Sequence, residues 1–501
     1  MNATTSDTSG DSELGEFGYT NQLKRTLGSF HTFAAGISYI SVLTGVFQLS
    51  YLGLSAGGPA YWWSWPMVFA GQLMVALCFA ELAARYPVAG SVYNWAKKLA
   101  GPHLGWLAGW TMLGASIVSI SATALAYQRT LPQIWSGFQL VGGDAANGVL
   151  LACLLIVFTT LVNAFGVKLM ARINSAGVFI ELVFAVLLVV LLAANITRGP
   201  EVVTETLGTG DAHDSGYLGA FLIAAIASSY VMYGFDTAAS LGEESVDPHR
   251  NAPKAILRAL IASFVLGGLI ILLALMAVGD IRSPELTTVG LQFVLTDVLG
   301  PTVGRVFLLV VFIAITVCVL AVHTAAIRIA FAMARDNALP AGRLLATVSP
   351  RTGTPVLPAI VIGVLAMALL VVNIDSPQIF SAVTSLAIIL VYLSYLLATV
   401  PMLVQRLRGR WQPESGRFSL GRWGVPINIL AVLWGGAMTV NLAWPRAEIY
   451  DAVEPHHWYL RWSSVLFVLA FAVIGFGYYW FVQRRRVGVL AGHAAPSVKE
   501  A

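Results

Sequence analysis

The chain has 501 residues, of which 57% are hydrophobic and only 11% are charged. An ordinary soluble domain is about 25% charged, so this composition excludes one and makes a lipid bilayer the expected surrounding. The formal net charge of +4 gives no support to a nucleic-acid partner, and Cys78, Cys153 and Cys318 fall inside apolar runs without metal-ligand spacing.

Residues 1–29 are rich in Ser, Thr, Asp, Glu and Gly and lack a basic stretch leading into a short apolar core. They are expected to be a disordered cytosolic tail rather than a cleaved signal. Twelve apolar runs follow, each long enough to cross a hydrocarbon core of about 30 Å. They lie near 30–54, 62–85, 105–127, 147–167, 174–196, 217–241, 256–279, 303–333, 355–373, 379–404, 426–445 and 460–482. Residues 483–501 then form a second short cytosolic tail. With the N-terminus inside, 22 of the 29 basic residues fall on the cytosolic side, six on the other, and Arg328 within a span. That asymmetry follows the positive-inside rule and predicts a multi-pass protein of the cell membrane with both termini cytosolic.

The first span, "FAAGISYISVLTGVFQLSYLGLSAGG", is punctuated by small and polar residues. Glycine in a membrane helix often serves close packing, so taken alone this span reads as packed rather than broken. The second span ends at Glu81, and "ELAARYPVAGSVYNWAKKLAGP" after it predicts a short amphipathic helix lying on the inner face. The fifth span carries Glu181 about ten residues from its cytosolic end.

The sixth span contains "SSYVMYGFDTAAS", placing Ser229, Gly234 and Asp236 mid-span, with Glu243 and Glu244 at its exit. The eighth carries His323, Arg328 and Arg335; the two arginines are seven residues apart and share one helix face. A charge at the helix centre costs roughly 2.5–3.5 kcal/mol, so these residues are the first candidates for function. His323 is read as a bonded core residue. Glu81, Glu243, Glu244, Arg328 and Arg335 are read as an inner gate of salt bridges, the alternative being interfacial charges with snorkelling stems.

Gly-interrupted segments at corresponding places in two five-helix halves point to a transporter built from inverted repeats. Half-helix N-termini exposed at such breaks can hold a carboxylate, and freed carbonyls can hold an ammonium. A membrane protease or metalloenzyme would need paired aspartates or clustered histidines, and the eight histidines are scattered. No phosphate-binding glycine loop occurs. The chain is therefore expected to be a transporter, not an enzyme, with no cofactor or metal. A nutrient sensor with a transporter fold is the alternative from another class, although the short tails leave little room for a signalling extension.

Four stretches carry a resemblance: "GISYISVLTGVF", "GGPAYWWSWPMVFAGQLMVALCFAELAARYPVAGSVYNWAKKLAGP", "MYGFDTAASLGEES" with "PHRNAPKAI", and "AAIRIAFAMARDNALP". On these the chain resembles the amino acid–polyamine–organocation (APC) superfamily. It is most similar there to bacterial amino-acid permeases and amino acid/choline/GABA transporters. The resemblance implies an all-α polytopic membrane protein of twelve helices with a LeuT-like fold. The first repeat would span 30–200 and the second 217–404, with helices 1 and 6 broken and two accessory helices over 426–482.

It implies import of an amino acid or related amine by alternating access. An exchanger, or a carrier of choline, GABA or a polyamine, is the alternative. By position, substrate contacts would come from Ser41, Val42, Leu43, Thr44 and Gly45 and from Tyr233, Gly234, Phe235 and Asp236, flanked by Ile37, Ser38 and Ser229. Some proton-linked relatives place a lysine where this chain has Glu181. A carboxylate at depth is costly as an ion, so Glu181 is expected to exchange the coupling proton. A sodium site and a carboxyl simply bonded to another helix are the other readings.

Overall fold

The computed structural model describes residues 14–494 apart from 16, 21, 22, 24, 212, 214, 373, 375–378 and 451–455. Residues 1–13 and 495–501 lie outside the described residues, and with them most of the polar stretch of the first tail. The described chain is helical throughout, with only two isolated β-bridges.

The helices that build the body run α1 (Ser29–Ile40), α2 (Val42–Gly57), α3 (Ser64–Arg85), α4 (Ser91–Ala100), α5 (Pro102–Ala124) and α6 (Ala126–Ile134). After them come α7 (Asp144–Phe165), α8 (Val167–Ala194), α9 (Tyr217–Val231), α10 (Thr237–Ser240), α11 (Pro248–Ala277) and α12 (Leu291–Arg335). The last four are α13 (Val356–Val371), α14 (Ile379–Leu407), α15 (Gly424–Ala443) and α16 (Ser463–Tyr478). Among the described residues ten helical stretches are long and apolar enough to cross a membrane, and α9 and α13 are shorter apolar helices.

Local sequence explains several boundaries. Pro102 and Pro248 open α5 and α11, where proline's missing N–H removes nothing from the helix. Gly300, with φ 76°, precedes Pro301 and kinks α12 near its start. The helix therefore begins well before the expected 303, as two segments joined at that kink.

Large apolar side chains face outward along α7, α8, α13 and α16, among them Phe158, Phe179, Val190, Val364 and Val473. Water would penalise that arrangement and lipid would not. Inside, α2 packs on α9, α5 on α14 and α12, and α11 on α1 and α3, around one continuous apolar core.

Two expectations need correcting. Residues described between 14 and 29 are not loose: Tyr19, Leu23 and Leu27 are buried, because each finds a slot among the helix ends. The segment after α3 does form a short helix, but one packed into the protein rather than resting on its surface. In α4 the side chains of Ser91 through Ala96 are all buried, and the helix packs against α5 and α14 inside the protein.

Candidate functional site

The first run of helix opens at Ser41, whose φ of 38° and ψ of 90° separate α1 from α2. A non-glycine residue held there is strained, and such strain persists only where surrounding contacts enforce it. The enforcing contacts are visible. Ser41 Oγ donates to Glu181 Oε1 at 3.0 Å, and Thr44 Oγ1 lies 2.6 Å from Ser41 Oγ. Leu43 N–H donates to the same Glu181 oxygen at 3.1 Å. Ser41 makes no side-chain cap of its own. The first turn of α2 is instead capped from α8, by a carboxylate 138 residues away. One turn before the break, Ser38 Oγ donates to Asn174 Oδ1 of α8 at 2.6 Å. The glycines of this span are not where it opens: Gly36 packs against Ala238 and Ala259, and Gly45 against Val231.

The second break spans Met232–Asp236, between α9 and α10. Gly234 sits at φ 87°, and a Cβ there would meet the Tyr39 ring at 1.9 Å. Only glycine lets α1 and this break approach so closely. Gly234 N–H donates to Tyr395 Oη at 2.8 Å, and that hydroxyl donates to Asp236 Oδ1 at 2.6 Å. Ser91 Oγ donates to Asp236 Oδ2 at 3.2 Å. Both carboxylate oxygens of this buried aspartate are thus held by hydroxyls of α14 and α4.

The two breaks face each other. Gly45 meets Val231, and the Tyr39 and Tyr233 rings meet edge to face with centroids 6.0 Å apart. Tyr230 continues the cluster, its ring 5.9 Å from that of Tyr233 and its hydroxyl donating to Gln48 Oε1 at 3.0 Å. Ser119 of α5 approaches the Tyr233 hydroxyl at 3.4 Å.

At the end of the molecule that carries the described terminal segments, two buried ion pairs join α12 to the segment that follows α10. Arg335 donates to both oxygens of Glu243, and Arg328 to both oxygens of Glu244. Glu243 also accepts the Ala89 N–H at 3.0 Å. Outside these pairs Tyr19 lies under Arg335, 3.6 Å from guanidinium carbon to ring centroid, and donates to Asp336. Lys97 reaches the same aspartate at 2.5 Å. Burial draws the Lys97 ammonium's pKa below its ordinary value, against the pull of Asp336.

The expected site residues therefore come together in two groups. Ile37, Ser38, Ser41, Val42, Leu43, Thr44 and Gly45 surround the first break, and Ser229, Tyr233, Gly234, Phe235 and Asp236 line or precede the second. Glu181 reaches the first. Of the five gate residues, Glu81 stands apart: it bonds Arg406, Trp411 and Ser419 at the ends of α3 and α14. Arg406 lies on the last turn of α14, and Trp411 and Ser419 lie in the basic segment that follows it, so Glu81 anchors that segment. His323 is bonded to Thr159 and to the Ala359 carbonyl, as expected of a core histidine.

Sequence reasoning missed Tyr395, Asn174, Ser91 and Tyr39. The polar side chains of "VYLSYLL" in α14 are the one signal that marks Tyr395 as unusual in an apolar span.

Two facing helix breaks inside an all-helical body, one capped by a carboxylate from a third helix, define a LeuT-like membrane protein. The crystal structure of MhsT in complex with L-phenylalanine superposes on 90% of this chain and 99% of its own, with a TM-score of 0.56 and 16% identity, which establishes the shared fold.

The chain belongs to the amino acid permease family of the APC superfamily, whose sequence model matches residues 27–474. It is a multi-pass membrane protein of a transporter family and not an enzyme. Amino-acid permease BAT1 of Arabidopsis thaliana is 28% identical over 466 residues, covering 88% of this chain and 89% of that protein. Amino-acid permease 2 of Neurospora crassa is 27% identical over 510 residues, covering 96% and 89%.

Proposed function

We propose that this protein is a secondary transporter that imports an amino acid or related amine, coupled to a proton carried by Glu181. The observation that carries the reading is the pair of hydrogen bonds from Ser41 Oγ and Leu43 N–H to one oxygen of Glu181. A carboxylate seated at a broken helix's N-terminus binds more weakly once protonated, because the helix end favours negative charge. Its protonation state therefore governs how tightly α8 holds the first break. That is a direct mechanical link between a proton and a candidate substrate site.

The substrate would lie between the breaks. The N-terminus of α2 suits its carboxylate, and the carbonyls of Met232 and Tyr233, which accept none of the backbone bonds that hold Gly234, Phe235 and Asp236, suit its ammonium, with Tyr39, Tyr230 and Tyr233 offering aromatic faces. The relatives named as amino-acid permeases and the MhsT complex with L-phenylalanine support an amino-acid substrate. Asp236 is bonded to Tyr395 and Ser91, so its role in this reading is to brace the second break rather than pair with a cationic substrate.

The reading includes twelve spans in two inverted sets of five plus two accessory helices. The segments 1–29 and 483–501 are the tails, both on the cytosolic side, as the basic-residue asymmetry argues. Alternating access then requires the Arg335–Glu243 and Arg328–Glu244 pairs to part on the cytosolic side.

The test is uptake into proteoliposomes driven by an imposed pH gradient, wild type against Glu181→Gln. Gradient-driven accumulation should vanish in the variant while exchange persists. An unchanged variant would remove Glu181 from the coupling mechanism.

A further inference from the structure

We infer that Glu181 and the substrate's carboxylate compete for one seat, the Leu43 N–H and Ser41 hydroxyl at the start of α2. The inference rests on the transport reading above and deepens it by naming what the substrate must carry. A broken helix offers a small number of outward-pointing N–H groups in its first turn, and these form its anion site. Here an oxygen of Glu181 is on that site, at 3.1 Å from the Leu43 nitrogen, with Ser41 adding a second donor at 3.0 Å. Thr44 completes the relay from behind, its hydroxyl 2.6 Å from Ser41 Oγ. Glu181 thus occupies the position that an amino acid's carboxylate needs.

Its surroundings make that seat exchangeable. Among the described residues Glu181 makes no ion pair; the groups that meet it are the Ser41 hydroxyl and the Leu43 N–H, with Cys318 of α12 as the nearby titratable group. Cys318 donates to the Tyr39 carbonyl and lies on the α1 side of the break. An ionised Glu181 is therefore held by these two donors and by little else. One proton arriving on its carboxylate leaves a neutral group that a substrate carboxylate can displace. The two donors then bond the incoming anion, and the proton stays on Glu181 until the substrate leaves. Carboxylate and proton enter as a pair because the seat takes one negative charge at a time.

This gives a specificity rule. Ligands that keep the carboxylate should need the proton, and ligands that lack it should not. A decarboxylated amine should bind independently of Glu181 protonation, or more tightly when Glu181 is ionised, since cation and anion then attract.

The experiment screens L-amino acids against purified protein by thermal shift. Affinities of one binder and of its decarboxylated amine are then measured between about pH 5 and pH 8, for wild type, Glu181→Gln and Glu181→Ala. In wild type the amino acid's affinity should fall by up to about tenfold per pH unit once Glu181 ionises, the slope of one proton taken up per ligand. The amine's affinity should stay flat or rise. Both variants should bind the amino acid with a flat pH profile, and Glu181→Ala should exceed wild type at the alkaline end. Thermal stability of both variants separates misfolding from loss of the competitor. Equal pH slopes for amino acid and amine, or an unchanged slope in Glu181→Gln, would overturn the competition while leaving amino-acid binding intact. Binding of no amino acid would overturn the transport reading and the competition together.

Discussion

Arg335 grips Glu243 through hydrogen bonds of 2.7 and 3.0 Å, and both side chains are almost wholly buried. A two-point guanidinium–carboxylate pair is geometrically specific. Removing one partner of such a buried pair leaves an uncompensated charge and costs about 3–5 kcal/mol. Arg335→Ala should therefore lower thermal stability and loosen the face that the pair closes. Ala89, whose N–H donates to Glu243, reports on the opening. In a background with the three native cysteines replaced, Ala89→Cys should label slowly with a maleimide, and faster once Arg335 is gone. The double replacement Arg335→Ala with Glu243→Ala should recover part of the lost stability. Equal labelling with and without Arg335 would show that the pair does not hold the face shut.

Gly45 and Val231 bring the two breaks into contact. A Cβ at Gly45 would fall 2.6 Å from one Val231 methyl and 2.9 Å from the other. Overpacking of this kind costs typically about 1–3 kcal/mol. Gly45→Ala should lower both uptake and melting temperature. Val231→Ala removes both offending methyl groups, so the double variant should regain most of the loss. A double variant as impaired as Gly45→Ala alone would place the harm elsewhere, in the backbone of α2.

Tyr395 is a bridge, since its hydroxyl accepts from Gly234 N–H and donates to Asp236. Tyr395→Phe leaves a buried N–H and a buried carboxylate oxygen without that partner, at a cost of about 1–3 kcal/mol. Asp236→Asn perturbs the same unit. Residues in one hydrogen-bond network are not additive, so the pair combined should cost clearly less than the sum of the two single effects. Thermal unfolding of the four proteins measures it, and strict additivity would mean that the network is not a unit.

The architecture was legible because lipid imposes it. Long apolar runs and the interruption around Gly234 are consequences of putting backbone into hydrocarbon, and they survive in the sequence alone. The glycines of α1 and α2 mislead, because the opening falls at Ser41 while Gly36 and Gly45 serve packing. What could not be read was pairing across the fold. Glu181 stood out as a charge at depth, but nothing local says that its partner is the Leu43 N–H. Tyr19 lies in a polar stretch that looks loose, and its place under Arg335 depends on helix ends more than 300 residues further along. Glu81 resembled Glu243 and Glu244 by position, and only the fold assigns it to Arg406.

The tails themselves should respond to pH. Thr20 N–H donates to the His493 carbonyl at 3.0 Å, and Leu490 N–H donates to the Arg335 carbonyl at 2.9 Å, so both terminal segments meet beside the end of α12. Burial lowers the His493 pKa below its ordinary 6.5, and Arg335 lowers it further, against the weaker pull of Glu243 and Asp336. The docked segment therefore binds fewer protons than the released one at pH values below about 6.5. By linkage, docking is fully present above that value and weakens as pH falls through the window beneath it. Amide exchange at Leu490 and Thr20, corrected for the intrinsic pH dependence of exchange, should accelerate on acidification from about pH 7 to about pH 5. His493→Gln keeps the backbone bonds but carries no titrating group, and its protection should be flat over the same range. Acid-induced release that persists in His493→Gln would move the sensor to another group of this cluster, with the Lys97–Asp336 pair the first to examine.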